Sequence, residues 1–351
     1  MVFIEVRMEK MNRIRNKKRR ITLLALMLLA TGILLSAATY AWFTANQIVA
    51  VNNLRVNVAA QHGIQISADG TNWRAILNTQ DLINAAITYP ASINQLPEIF
   101  EPVSTIGTMN AAGRMEMWYG DVQTNDAGDH ILTTTQSIET RGHGESSTGH
   151  FIAFDMFLRV DIDLPVFLTP QSGVIHNADF GPAGNALDRG IKNSARVAFV
   201  NLGNVPVGTS LAAIQALNAG EAATVRIWEP NYDVHTPAGA ANALDRYGIV
   251  TGLGPGAARL SYRGVSAAIS ATDNIRITDT YNPVHTAFFA PVTPLITTRF
   301  NFTTNVAAFN LQEGITKKRV YFWIEGQDVD CENTASDGSI TLNLQLSTLP
   351  T

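Results

Sequence analysis

Alternation with a period of two dominates the hydrophobic pattern of this chain. Ile340, Leu342, Leu344 and Leu346 alternate with Thr341, Asn343, Gln345 and Ser347. Ile152, Phe154, Met156, Leu158, Val160 and Ile162 alternate with a set that includes Asp155, Arg159, Asp161 and Asp163. Val320, Phe322 and Ile324 alternate with Tyr321, Trp323 and Glu325, and Leu54, Val56 and Val58 with Asn53, Arg55 and Asn57. Successive side chains of a strand point to opposite faces, so each segment predicts a strand with one face in a core and the other in water. Shorter strands are predicted at Arg196–Val200, Val225–Trp228, Ile275–Thr278 and Phe300–Thr304. Helical periodicity is weak and predicts only short helices, within Trp73–Ile87 and Ser210–Ala219, the second opened by Ser210 as N-cap. Dense loop residues fall at Gly120–Gly149, Pro170–Gly190, Pro230–Gly256 and Tyr281–Pro294. The predicted fold class is all-β: an antiparallel β-sandwich or jelly roll with long loop insertions and one or two short helices.

The alternation is absent from the N-terminus. Lys17-Lys18-Arg19-Arg20 precedes an uncharged apolar run, Ile21 to Leu35, and then Ser36, Ala37, Ala38, Thr39, Tyr40 and Ala41. A charged start, an apolar stretch and small residues make a secretory signal, with cleavage after Ala38 or Ala41. The rival reading is a retained anchor, because Ile21 to Phe43 is long enough to span a bilayer. In both readings the body is exported. The predicted organisation is therefore a signal at residues 1–41, a first strand at 42–59 and one elaborated domain at 60–351.

Charge sharpens this division. The formal net charge is −4 over 351 residues, but residues 1–20 hold eight of the 25 Lys/Arg and two of the 29 Asp/Glu. That leaves 17 basic against 27 acidic residues, a balance of −10, in residues 21–351. So acidic a body is a poor binder of nucleic acid, which needs clustered cations. Lys192, Lys317 and Lys318 are the only lysines after residue 20. One cysteine, Cys331, excludes an intramolecular disulfide and a cysteine-based zinc site. Cys331 reads as a half-buried small residue.

The stretch Ala38-Thr39-Tyr40-Ala41-Trp42-Phe43-Thr44, directly after the apolar run, resembles the export signals of the TasA/camelysin group. Arg226–Asn231 with His235, and Trp323–Cys331, are similar to stretches of exported clostridial proteins. The TasA/camelysin resemblance implies a secreted, disulfide-free jelly-roll protein that assembles into extracellular fibres of a biofilm matrix. It further implies donor-strand exchange, in which the segment after the cleavage site completes the sheet of a neighbour. On that reading Leu54, Val56 and Val58 are the assembly strand and the partner is a second copy of the chain. Deleting Thr44–Ala59 is then expected to leave a folded, non-polymerising monomer, whereas deletion of an ordinary first strand unfolds the domain.

Motifs of catalysis are missing: there is no His-Glu-x-x-His, Gly-x-Ser-x-Gly or Walker loop, and the chain is expected not to be an enzyme. The densest acidic stretch, Glu325 to Asn333, offers Asp328, Asp330 and Glu332 as ligands for calcium, with Asp161 and Asp163 as added partners. His143, Glu145 and His150 could hold a transition metal or form a solvated loop. Two rivals to the fibre subunit stand. One is a monomeric surface module for sugars or peptides, using Trp118, Tyr119 or Trp228. The other is a secreted hydrolase with paired carboxylates. A short echo, Asn185–Gly190 and Asn242–Tyr247, reads as a repeated Asp/Arg turn.

Overall fold

The computed structural model describes residues 49–58, 63–144, 147, 149–176, 190–331 and 339–350. The signal segment, with Ala38 and Ala41, lies outside the described residues, as do Glu145, Asn185–Arg189 and Glu332. All described residues belong to one compact unit, residues 41–351.

The chain is all-β. The first sheet runs in the order β17 (Val306–Leu311), β10 (Leu164–Leu168), β19 (Ser339–Ser347), β1 (Val49–Val58) and β3 (Ile76–Asn78). In addition β11 (Gly173–His176) pairs with β19, and β5 (Ile99–Phe100) with β1. The second sheet runs β16 (Ile296–Thr297), β13 (Thr224–Glu229), β12 (Ala195–Val205), β18 (Gly314–Ile324), β9 (Ile152–Val160), β4 (Gln95–Leu96) and β8 (Gly142–His143), with β2 (Gln65–Ser67) on β9. Two two-stranded sheets stand apart: the hairpin of β6 (Met117–Thr124) with β7 (His130–Ser137), and β14 (Tyr262–Val265) with β15 (Phe289–Val292), whose strands are joined by residues 266–288. Pairing is antiparallel except for β1 with β19, β13 with β16 and β4 with β8.

The second sheet is covered on both faces, which corrects the expectation of one wet face. One face carries Phe154, Val320 and Phe199 and meets the first sheet, where the rings of Phe199 and Phe309 lie 5.2 Å apart. The opposite face carries Ala153, Ala198, Val200, Tyr321 and Trp323. These pack with Met117 of β6, Met115 just before it, Tyr262 of β14 and Val292 of β15. Every residue of β18 is therefore buried, including Lys317, Lys318 and Arg319. Asp155 on β9 is buried rather than solvated.

Three α-helices are found among the described residues. α1 (Thr79–Thr88) starts at a reciprocal cap between Asn78 and Asp81. It occupies the second half of the predicted window, whose first half is β3. α2 (Leu211–Gln215) is capped by Ser210 as the sequence predicts. α3 (Pro237–Tyr247) is unanticipated: Thr236 caps it, Pro237 takes the first turn, and Gly248 ends it at φ 66°. It absorbs the second copy of the echo, a helix where a turn is expected. Ile275–Thr278 and Phe300–Thr304 form no strand; the chain enters β17 only at Val306.

Candidate assembly site

β1 is the described part of the segment from which assembly is expected. Its inward residues Val49, Val51, Leu54, Val56 and Val58 are all buried. The first two are odd-numbered and the last three even, so a regular strand would send one set to solvent. A register shift between Val51 and Asn53 reconciles them. Beyond it, Leu54, Val56 and Val58 lie opposite Leu342, Leu344 and Leu346 of the last strand. The other edge is occupied too. Val56 pairs with Leu77 on β3, Val49 with Phe100 on β5, and the Val51 amide donates to the Glu98 carbonyl at 2.8 Å. The strand is thus seated inside a sheet of its own chain, between β19 and the short strands β3 and β5. Outward, Arg55 is exposed and Asn57 half-buried.

The acidic stretch after β18 folds into a buried ionic cluster. Asp328 accepts from Arg196, whose guanidinium also donates to Glu229 at 2.8 Å. Glu229 in turn accepts from Arg259 at 3.1 Å. Asp330 accepts from His235 Nδ1 at 2.7 Å and from the Thr236 amide at 2.8 Å, and His235 Nε2 faces the Ala258 carbonyl at 3.0 Å. A Cβ at Gly239 would lie 2.0 Å from Asp330 Oδ1, so only glycine lets α3 close over this carboxylate. Coordination of calcium here would require Asp328 and Asp330 to exchange Arg196 and His235 for the cation. Asp161 and Asp163 follow the opposite end of β9. The register sets Val160 against Gly314 and Ile152 against Phe322, roughly 30 Å along the sheet from the cluster at ~3.3 Å per residue. They therefore do not join it. Among the described residues, no group of three or more His, Cys, Asp or Glu could hold a metal ion.

Both ring nitrogens of His235 face acceptors, which only the imidazolium can satisfy by donating twice. Burial opposes the charge, but the hydrogen bond and charge of Asp330 and the Ala258 carbonyl outweigh it and raise the histidine pKa to about 9. The folded-state pKa lies above the ordinary 6.5, so the stabilisation is complete below pH 6.5 and is lost as pH rises through about 9. The melting temperature of the protein should exceed that of His235→Gln at pH 6, and the gap should close at alkaline pH. Thermal scans of the two proteins across this range measure it.

A second ionic cluster lies on the same face of the second sheet as Tyr321. Arg319 donates to Asp155 at 2.7 Å and to Glu139 at 2.6 Å, and Lys317 lies 3.3 Å from Asp155. The Tyr89 hydroxyl donates to Asp155 at 3.0 Å. Burial alone would raise the Asp155 pKa; the charges of Arg319 and Lys317 reverse it and hold the carboxylate ionised. The sequence carries a signal for this cluster, since three consecutive cations enter an otherwise apolar strand.

The remaining candidates separate. Trp228 is fully buried, with its indole N–H on Thr298 Oγ1 at 3.0 Å, and so is no surface aromatic. Tyr119 stacks on His150 at 4.3 Å, and His150 Nδ1 contacts Ser137 Oγ at 2.8 Å. His143 is exposed. Cys331 is fully buried rather than half-buried. Two surface hollows, of about 170 and 520 Å³, carry no aromatic lining. Among the described residues no helix is long and apolar enough to cross a membrane. No protein-family model matches the chain, and no curated protein or solved structure matches it.

Proposed function

We propose that this chain is a non-enzymatic, extracellular structural subunit that polymerises at or near the cell surface by exchange of β1. On this reading the two large sheets form a sandwich of jelly-roll type. The supporting observation is the seat of β1. It is the first described strand, it pairs in parallel with the last, and it leads into β2 through residues 59–64 alone. A terminal strand with so short a connection can be placed in the same groove of a second copy with the same hydrogen bonds and the same buried side chains. Each copy then gives a strand to one neighbour and receives one from another. That head-to-tail relation propagates as an open polymer. The closed monomer and the polymer make equal contacts, so concentration and the order of export and folding select between them.

Export is part of the proposal, and the step from four cations to an apolar run supports it. Secreted material should begin at Thr39 or Trp42; terminal sequencing that finds Ile21–Leu35 intact in that material overturns cleavage. Negative-stain microscopy of the material released by the native host tests the function itself. Filaments or tubes labelled by antibody to this chain are expected, and labelled protein that is monomeric throughout contradicts the proposal.

A further inference from the structure

Among the described residues, fully buried cations are matched by carboxylates, with one exception. Arg196, Lys317 and Arg319 each have a carboxylate oxygen within 3.3 Å. Among the described residues Lys318 has none, although it is only 3% exposed. Its ammonium lies 4.3 Å from the centre of the Phe309 ring, on the face of the second sheet that meets the first. The side chain directly opposite on β12 is Asn201, whose buried Oδ1 has no hydrogen-bond partner. Arg226 occupies the same face. It stands opposite Phe199, which in turn stands opposite Val320, two residues from Lys318. The buried Nε of Arg226 is also without a partner. Two cations and an orphaned amide thus share one region of the interior face, in a body whose acidic residues outnumber its basic ones by ten.

A cation withdrawn from water and left unpaired is costly. The ring face of Phe309 offsets a part of that cost, and a hydrogen bond to Asn201 would supply a dipole but no charge. Burial lowers the lysine pKa to about 8, with the nearby Arg226 charge adding to the effect. At neutral pH the amine still carries its proton and lacks a counter-charge. A planar carboxylate or a tetrahedral sulfate matches this demand, because it accepts from an ammonium and a guanidinium at once.

We propose that Lys318 and Arg226 form a binding site for an oxyanion of the carboxylate or sulfate class. The anion is supplied free from solution or by an acidic side chain of a second copy. The site stands independently of strand exchange, since neither residue belongs to β1.

The test uses protein expressed from the full chain, with Lys318→Met and Arg226→Gln as variants. Methionine keeps the length of the side chain in apolar surroundings and should fold. In the first arm, dilute protein is melted in rising sodium sulfate, with sodium chloride at matched ionic strength as reference. A saturable rise of several degrees is expected in the unaltered protein, smaller in Arg226→Gln and absent in Lys318→Met, as for a ligand that binds only the folded state. The general salting effect of sulfate is unsaturable and common to all three proteins. In the second arm, sedimentation is followed at rising protein concentration in chloride. Self-association that Lys318→Met abolishes and sulfate competes away assigns the anion to a second copy; its absence, with the first arm positive, assigns it to solution. If the unaltered protein and Lys318→Met respond alike in both arms, the site does not exist.

Discussion

A chain lacking residues 44–59 should fail to fold alone and should recover when a synthetic peptide of residues 44–59 is added. The deletion removes five buried apolar side chains, Val49, Val51, Leu54, Val56 and Val58. At about 1.5–3 kcal/mol each, their loss costs roughly 8–15 kcal/mol, as much as the whole stability of an ordinary domain. It also strips hydrogen-bond partners from β19, β3 and β5, leaving two open edges in the middle of a sheet. Of the two outcomes the sequence allows, a folded monomer or an unfolded domain, the second is expected because β1 is internal to its sheet and not an appendage. Strand exchange nonetheless requires that the groove accept the segment from outside. Far-ultraviolet circular dichroism and sedimentation, with and without the peptide, measure both effects. A truncated chain that folds unaided, or that the peptide does not restore, removes the groove as an acceptor.

The second large effect is expected at Arg319. Replacing it with methionine leaves Asp155 and Glu139 buried without their shared cation; each keeps one more distant partner, Lys317 at 3.3 Å from Asp155 and Arg114 at 3.2 Å from Glu139. Breaking a buried pair from one side costs about 3–5 kcal/mol, because the surviving charge is stranded. Arg319→Met should lose stability by about that amount in urea titration. Adding Asp155→Asn and Glu139→Gln should return a part of it, since the stranded charges go too. Restoration would place the penalty in electrostatics and not in the packing of the arginine stem. A triple variant no more stable than Arg319→Met would place it in packing.

Much of the fold is written in the sequence where one physical rule acts alone. The segment Ile340–Leu346 alternates cleanly because one face of β19 packs inward and the other stays polar, and it is a strand as expected. Ser210 caps a helix as expected because the cap is local: its side chain needs only the Ala213 amide three residues on. The reading fails where a second layer intervenes. Asp155 and Arg319 look solvated when each strand is read by itself. They face each other across β9 and β18, on the face covered by the two small sheets, and only the pairing reveals them as partners. The same holds for Asp328 and Asp330. As isolated acids on a loop they suggest a cation site; the fold brings Arg196 from β12 and His235 from before α3 to meet them. Helix α3 was hidden by composition, because Ala, Gly and Asn dominate Pro237–Tyr247 and hydrophobic periodicity is faint there. For the candidate assembly site, the inward set Leu54, Val56 and Val58 was legible. The parity change at Asn52 was not, since only the shifted register against β19 explains why Val49 and Val51 turn inward as well.

Covalent trapping tests the exchange of β1 most directly. Arg55 and Asn343 lie opposite one another on the solvent face of the β1–β19 pair. Cysteines at both positions, in a Cys331→Ser background, join whichever two strands are neighbours. The double variant is oxidised after secretion and run on a denaturing gel without reductant. Exchange of β1 between copies predicts a ladder of dimers, trimers and higher oligomers that collapses to monomer on reduction. A single monomer band with the disulfide formed within one chain, recovered from assembled material, would contradict it.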